Sequence, residues 1–188
     1  MSRLPRLTPD EMTPRQRELY DFFTTGPRAD PANPYRLFDD ERFLIGPPSA
    51  WIQSPEIGHA LEKFGGQMRW GIHTSDAARE AVILAVAYAE GSPFELFAHE
   101  PAGRAAGFTD EDLAALREGR VPDGADEETR IAHALALELI ATRALSDESF
   151  ARAVDALGLP VVFELVTLVG YYQLVALTLS AFRILPPP

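Results

Sequence analysis

The chain has 188 residues, a length that suits a single domain able to bury about 70% of its unfolded surface. Its formal net charge of −11 argues against nucleic acid or an anionic membrane surface as the main partner, because both require a positively charged footprint. Cysteine is absent, which excludes disulfides, thiol nucleophiles and thiolate metal sites.

The first 45 residues are rich in proline and are interpreted as an N-terminal arm that packs on a main domain of residues 46–188. Within the arm, Pro14 to Phe23 predicts a short helix and Gly26 to Pro34 predicts a loop. The N-terminus is polar and interrupted by prolines, which is not typical of a secretory signal. We therefore expect a cytoplasmic protein.

Helix-start residues and apolar runs dominate the main domain, and no segment shows the sustained alternation typical of a β-strand. The pattern therefore predicts an all-α fold. The predicted helices cover residues 54–70, 76–90, 92–106, 109–119, 126–143, 146–158 and the segment from 160 onwards.

The longest apolar stretch runs from Val161 to Phe182, and its length of about 22 residues is enough to span a bilayer. Glu164 lies within this stretch, and a charged residue there argues against a membrane span. We expect instead a helix that is buried in the core or in a subunit interface.

The segment from Ser92 to His99 combines a helix-start signal with a candidate acid/base pair. Ser92 suits the N-cap position, Pro93 suits the first helical position, and Glu95 completes a predicted capping box. His99 follows Glu95 by four residues, so both side chains are expected on one face of the new helix.

Glu80 lies near the start of the preceding predicted helix. In one continuous helix Glu80 and His99 would be about 28 Å apart. The Gly-Ser-Pro break at residues 91–93 allows the two helices to fold back on each other and bring Glu80 towards His99. A joint site therefore depends on that break.

The order and spacing of three sequence stretches are informative about the protein family. They are Gly46-Pro47 with Ser54-Pro55-Glu56, then Arg79-Glu80 with Glu95 to His99 and Ala105-Ala106-Gly107-Phe108, and finally Glu164-Leu165-Val166 through Gly170-Tyr171-Tyr172. Together they resemble the carboxymuconolactone decarboxylase family, which includes the alkylhydroperoxidase-D-like proteins. The resemblance covers about residues 40–185. It implies an AhpD-like helical bundle of about six to eight helices that forms a homo-oligomer, with trimers and hexamers common.

Redox members of this family carry a Cys-x-x-Cys-x-x-x-His pattern, preceded by a glutamate on the previous helix. When the histidine is aligned with His99, the two cysteine positions fall on Ser92 and Glu95, and the glutamate falls on Glu80. Both cysteines are therefore missing, so thiol peroxidase and disulfide reductase chemistry by that mechanism is excluded. The remaining residues are more similar to the decarboxylase-like branch.

His99, Glu80 and Glu95 are the predicted catalytic residues. An imidazole exchanges a proton near neutral pH, so we expect His99 to deliver or remove a proton, Glu80 to orient the ring and Glu95 to tune its charge. Each residue also has a purely structural interpretation. His99 would be a hydrogen-bonded core histidine, Glu80 a solvated first-turn acid and Glu95 a helix cap.

The predicted substrate-binding residues are of two kinds. Arg69, Arg79 and Arg104 are candidates to bind a substrate carboxylate, and Phe94 and Tyr171 are candidates to hold a flat ring. A divalent-ion site built from His99 and the two glutamates is the alternative use of the same side chains. Because the family does not generally require a metal, we expect no metal and no cofactor.

These features together predict a non-redox acid/base enzyme of the decarboxylase, lyase or isomerase type. Its substrate would be a small oxygenated molecule that carries a carboxylate or a lactone. Two alternatives stay open at this point. One is a catalytically silent oligomeric binding protein on the same scaffold, and the other is a peroxidase-like protein without thiols.

Overall fold

The computed structural model describes residues 2–25, 29 and 37–187. Within these residues the chain forms nine α-helices and no strand, so the predicted all-α class is confirmed. A short 3₁₀ turn, Pro9–Glu11, precedes the first of them. The helices are α1 (Pro14–Thr25), α2 (Pro47–Trp51), α3 (Pro55–Trp70), α4 (Asp76–Ala89), α5 (Pro93–Ala105), α6 (Asp110–Arg117), α7 (Glu127–Thr142), α8 (Asp147–Leu157) and α9 (Leu159–Phe182).

The predicted helix starts agree closely with the structure. Ser75, Thr109, Asp126 and Ser146 each accept a hydrogen bond through the side chain from the backbone N–H three residues further on. These bonds satisfy donors that a helix start otherwise leaves unpaired. The additional helix is Pro47–Trp51, because five residues are too few to show a helical period in the sequence.

The chain forms two compact units. One comprises the residues up to 67 together with those from 177 onwards, and the other comprises residues 68–176. The predicted division near residue 45 stays a prediction. The predicted loop Gly26 to Pro34 lies outside the described residues, apart from Ala29.

Helix α4 is the buried centre of the second unit. Every residue from Glu80 to Ala87 is at most 4% exposed, and the helix packs against α5, α6 and α7. Leu84, for example, lies in a cluster with Phe108 and Leu113. A helix that is buried on all sides is normally apolar all round, so a carboxylate within it requires partners.

The reversal between α4 and α5 depends on Gly91, whose φ is +58°. The N–H of Gly91 donates to the carbonyl of Tyr88 at 3.2 Å, and the N–H of Ser92 donates to the carbonyl of Ala87 at 3.0 Å. Glycine adopts this left-handed conformation without steric cost, which is why it commonly ends helices. The turn brings α5 back against α4.

In the first unit, α1 and α2 build a core that includes Leu19, Phe23 and Trp51. Gly58 on α3 packs closely against this core. A Cβ atom at Gly58 would lie 2.6 Å from the carbonyl oxygen of Trp51, so only glycine allows this approach.

Helix α9 is long and apolar enough to cross a membrane by length and composition alone, and 44% of its most apolar window is buried within the protein. Glu164 on this helix is bound to His73. One carboxylate oxygen accepts the backbone N–H of His73 at 2.8 Å, and the other lies 2.7 Å from its Nδ1.

His133 on α7 predicts a pH-dependent loss of stability. Its side chain is fully buried, neither ring nitrogen has a hydrogen-bond partner among the described residues, and burial lowers its pKa from 6.5 to about 4. The unfolded chain binds a proton below pH 6.5 whereas the folded chain does not until about pH 4. Folding stability is therefore lost as the pH falls through this window, by about 2 kcal/mol between pH 7 and pH 5.

Urea unfolding of the wild type and of His133→Leu at both pH values tests this expectation. The variant should lose about 2 kcal/mol less than the wild type between pH 7 and pH 5. Its stability at pH 7 provides the baseline that removes any packing effect of the substitution. An unchanged pH dependence in the variant would show that His133 is not the cause.

Candidate active site

Helices α4 and α5 bring three titratable side chains together in the second unit. Glu80 comes from the second turn of α4, while Glu95 and His99 lie one turn apart on α5. Their exposed fractions are 4%, 3% and 2%. The helix break at residues 91–93 therefore does bring Glu80 to His99, across the reversal at Gly91.

The two carboxylates contact opposite sides of the imidazole. Nδ1 of His99 lies 2.7 Å from Oε2 of Glu80, which is a short hydrogen bond. Nε2 lies 3.6 Å from Oε2 of Glu95, close enough for an ion pair but too long for a hydrogen bond. With Glu80 ionised, Nδ1 must carry the proton and donate it to the carboxylate. This bond orients the ring and leaves Nε2 facing Glu95.

The two glutamates have opposite pKa shifts. Burial by itself raises the pKa of Glu80, but the charge of His99, its hydrogen bond and the charges of Arg79 and Arg69 together lower that pKa below the ordinary value. Burial raises the pKa of Glu95 above the ordinary value, and the charges of His99 and Arg69 offset this only in part. The surroundings of Glu80 therefore favour its ionised form, whereas those of Glu95 favour its protonated form.

The predicted capping box at the start of α5 is wrong. Ser92 makes no side-chain cap hydrogen bond, and its Oγ is buried without a partner among the described residues. The N–H of Ser92 donates to the carbonyl of Ala87 in the turn, so it is not available to Glu95. The carboxylate of Glu95 lies instead beside His99, and its interpretation as a helix cap no longer holds.

The three predicted arginine clamps lie in different surroundings. The Nη1 of Arg79 is 2.8 Å from Asp76, and its Nε is 3.6 Å from Oε1 of Glu80. The charge of Arg69 lowers the pKa of both glutamates. Arg104 is exposed and pairs with Asp110 at 2.9 Å, so the structure places it in a surface ion pair rather than among these acids.

Tyr172 contacts His99, although it was not among the predicted substrate-binding residues. The two rings meet edge to face, with centroids 5.1 Å apart and an interplanar angle of 88°. Tyr171 packs in turn against Tyr172 at 5.3 Å, and Phe94 is buried beside Phe97. Neighbouring residues on a helix point about 100° apart, so the adjacent Tyr-Tyr pair on α9 was the available signal that one of them would face the imidazole.

Residues 55–146, about half of the chain, match the carboxymuconolactone decarboxylase family. The chain is a member of this family. The matched segment includes Glu80, Glu95 and His99, and the chain has no cysteine, so this member lacks the Cys-x-x-Cys motif. Comparison with curated proteins and with solved structures found no match.

The geometry of this carboxymuconolactone decarboxylase family member does not favour the metal alternative. Within the described part of the chain, no group of three or more His, Asp or Glu side chains is arranged to hold a metal ion. The reason at this site is that Glu80 and Glu95 approach opposite nitrogens of His99, so the three side chains do not converge on one point.

The opposite pKa shifts predict different costs for two matched substitutions in this family member. Glu80→Gln removes a buried carboxylate that His99 and two arginines stabilise, and it is expected to reduce the free energy of unfolding by about 3 kcal/mol at pH 7. Glu95→Gln replaces an acid that favours its neutral form with a neutral amide of similar shape, so the cost should be below about 1 kcal/mol.

Urea unfolding of both variants at pH 7 measures the difference. Equal costs, or a larger cost for Glu95→Gln, would contradict the assignment of Glu80 as the ionised carboxylate.

Proposed function

We propose that this protein is a non-redox acid/base enzyme that decarboxylates or isomerises a small lactone acid or enol acid. The observation that supports the proposal is the placement of the His99 ring between one carboxylate with a lowered pKa and another with a raised pKa. Pairs of acids whose environments separate their pKa values are typical of sites that use one as acid and one in ionised form.

Each side chain then has a distinct role. Ionised Glu80 accepts the Nδ1 proton of His99 and holds the ring in one orientation. Protonated Glu95 is the proton donor, and Nε2 of His99 lies 3.6 Å from it. A proton given up by Glu95 to the substrate is replaced from solvent. When the reaction is an isomerisation, Nε2 of His99 removes a proton from one carbon and Glu95 returns a proton to another.

For a decarboxylation, the bond between the carboxylate carbon and the ring carbon breaks, and carbon dioxide leaves. The electron pair of that bond moves into the conjugated carbonyl of the substrate and forms an enolate. Glu95 protonates the enolate at carbon, so electrons and protons balance without an oxidant or a reductant. Arg69, whose charge acts on both glutamates, is suited to bind the negative charge of the substrate.

The burial of the site favours one alternative, a catalytically silent binding protein on the same scaffold. With exposed fractions of only 2–4%, the three side chains resemble a structural network that holds α4 against α5. In that case substitution of His99 would change stability without changing any turnover. The peroxidase-like alternative gains no comparable support, because no thiol is present.

Conversion of small lactone acids and enol acids, followed by ultraviolet absorbance and carbon dioxide release, tests the proposal. His99→Gln should reduce the rate by about 10²–10⁴-fold, the usual contribution of general acid/base catalysis. The matched control is His73→Gln, since His73 is exposed and pairs with Glu164 on the surface, and it should retain wild-type turnover.

Loss of conversion in His99→Gln with normal folding would support the enzyme. Substrate binding without conversion, equal in the wild type and in His99→Gln, would instead support the silent binding protein. Unchanged turnover in His99→Gln would overturn the assigned role of this residue.

We further propose that the chain forms a homo-oligomer, a trimer or hexamer, through one face of α9. Leu159, Phe163, Val166 and Leu174 are large apolar residues on this helix with exposed fractions of 38–69%. They are four, three and eight residues apart, which places them along one stripe of the helix. Apolar patches of this kind are typical of protein interfaces.

Size-exclusion chromatography with light scattering tests this interface. Phe163→Asp should shift the protein towards the monomer because it places a charge in an apolar contact. Phe150→Asp on α8, which also replaces an exposed phenylalanine, is the control and should leave the oligomer intact. A monomeric wild type, or dissociation by the control alone, would contradict the proposed interface.

A further inference from the structure

A cavity of about 400 Å³ lies within the first unit, and none of the proposed acid/base residues lines it. Its wall is formed by residues from three segments, 2–12, 39–52 and 183–185. The volume falls within the range of roughly 300–1,000 Å³ that is usual for small-molecule sites.

The wall of this cavity is mainly apolar. Leu4, Leu7, Phe43, Ile45 and Ile184 contribute to it. Such a lining favours a ligand with an apolar body, because removing apolar surface from water provides most of the binding energy.

The charged residues of the wall are Arg6, Arg183 and Asp39, which together carry a formal charge of +1. This local excess of positive charge contrasts with the net charge of −11 for the whole chain. A ligand that complements both the apolar wall and this charge is an apolar molecule with one anionic group.

Only one of the two arginines is available to such a group. Arg6 forms ion pairs with Asp39 and Glu41 and lies 4.0 Å from the centre of the Phe43 ring. Within the described part of the chain, the side chain of Arg183 forms neither an ion pair nor a hydrogen bond. Arg183 is exposed at the cavity wall, so its guanidinium is accessible to a ligand.

The backbone at Arg183 adopts a left-handed conformation that suits glycine. Its φ is +54°, and it directly follows the last turn of α9, where the N–H of Ile184 donates to the carbonyl of Leu179 at 2.8 Å. Glycine is the residue that such a helix end favours. Glycine can therefore replace Arg183 without backbone strain.

We propose that this cavity binds a small apolar carboxylic acid, with its hydrocarbon part against the apolar wall and its carboxylate on Arg183. The pairing of a guanidinium with a carboxylate supplies orientation, and the apolar wall supplies affinity. This inference does not depend on the proposed acid/base function, because it uses a different set of residues.

Isothermal titration calorimetry of the full chain with hexanoate, octanoate and octanol tests the chemistry of the ligand. Octanoate should bind saturably and more tightly than octanol, since only octanoate carries the charge. Each added methylene from hexanoate to octanoate should raise the affinity about fourfold. Amide chemical shifts should change at Phe43 to Ile45 and at Ile184, which locates the ligand.

Two matched variants test the role of the arginine. Arg183→Gly should weaken octanoate at least tenfold and leave octanol unchanged, and it should fold normally because glycine suits the positive φ. Arg143→Gly is the control, since Arg143 also has a positive φ, +63°, at the end of α7 and does not line the cavity. The control should bind octanoate as the wild type does.

The inference is overturned if octanoate shows no saturable binding. It is also overturned if Arg183→Gly binds octanoate as the wild type does, if Arg143→Gly weakens it equally, or if the chemical shifts change elsewhere. His99→Gln should retain octanoate binding, so a failure of the acid/base proposal and a failure of the cavity proposal are distinguishable.

Discussion

The hydrogen bond between Glu80 and His99 is the constraint on which the rest of the site depends. It joins α4 to α5 at 2.7 Å in a region from which water is almost completely excluded. A carboxylate buried in an apolar helix is strongly unfavourable unless it is paired. The position of α4 in the core, the reversal at Gly91 and the direction of α5 must therefore all be compatible with this one contact.

The same contact makes two chemically identical side chains behave differently. Glu80 has the imidazole as a hydrogen-bond donor and two arginines nearby, which outweigh the effect of burial on its pKa. Glu95 is equally buried, but it lies 3.6 Å from the ring without a hydrogen bond to it. Burial therefore dominates at Glu95. This difference in surroundings shifts the pKa values of two side chains of one residue type in opposite directions.

Glu80, Glu95 and His99 are neighbours, as their positions in the sequence predict, because a helix reversal and an i,i+4 spacing are local features. The predicted capping box at Ser92 was wrong. The backbone N–H of Ser92, which Glu95 was expected to bond, donates instead to a carbonyl in the turn. Arg104, one of the three arginines named as candidate carboxylate clamps, pairs with Asp110 across the turn into α6. Tyr172 was missed as a contact of His99 because which of two adjacent tyrosines faces the ring depends on the rotation of α9.

By itself, the sequence determined the all-α class, nearly all of the helices, the family resemblance and the absence of thiol chemistry. Helix starts and periodicity are encoded within a few residues, so local reading suffices for them. Only the tertiary structure decided which glutamate has a lowered pKa and which a raised one, which arginines act on the site and where a cavity forms. These properties depend on the exclusion of water and on groups far apart in the chain, and no local pattern contains that information.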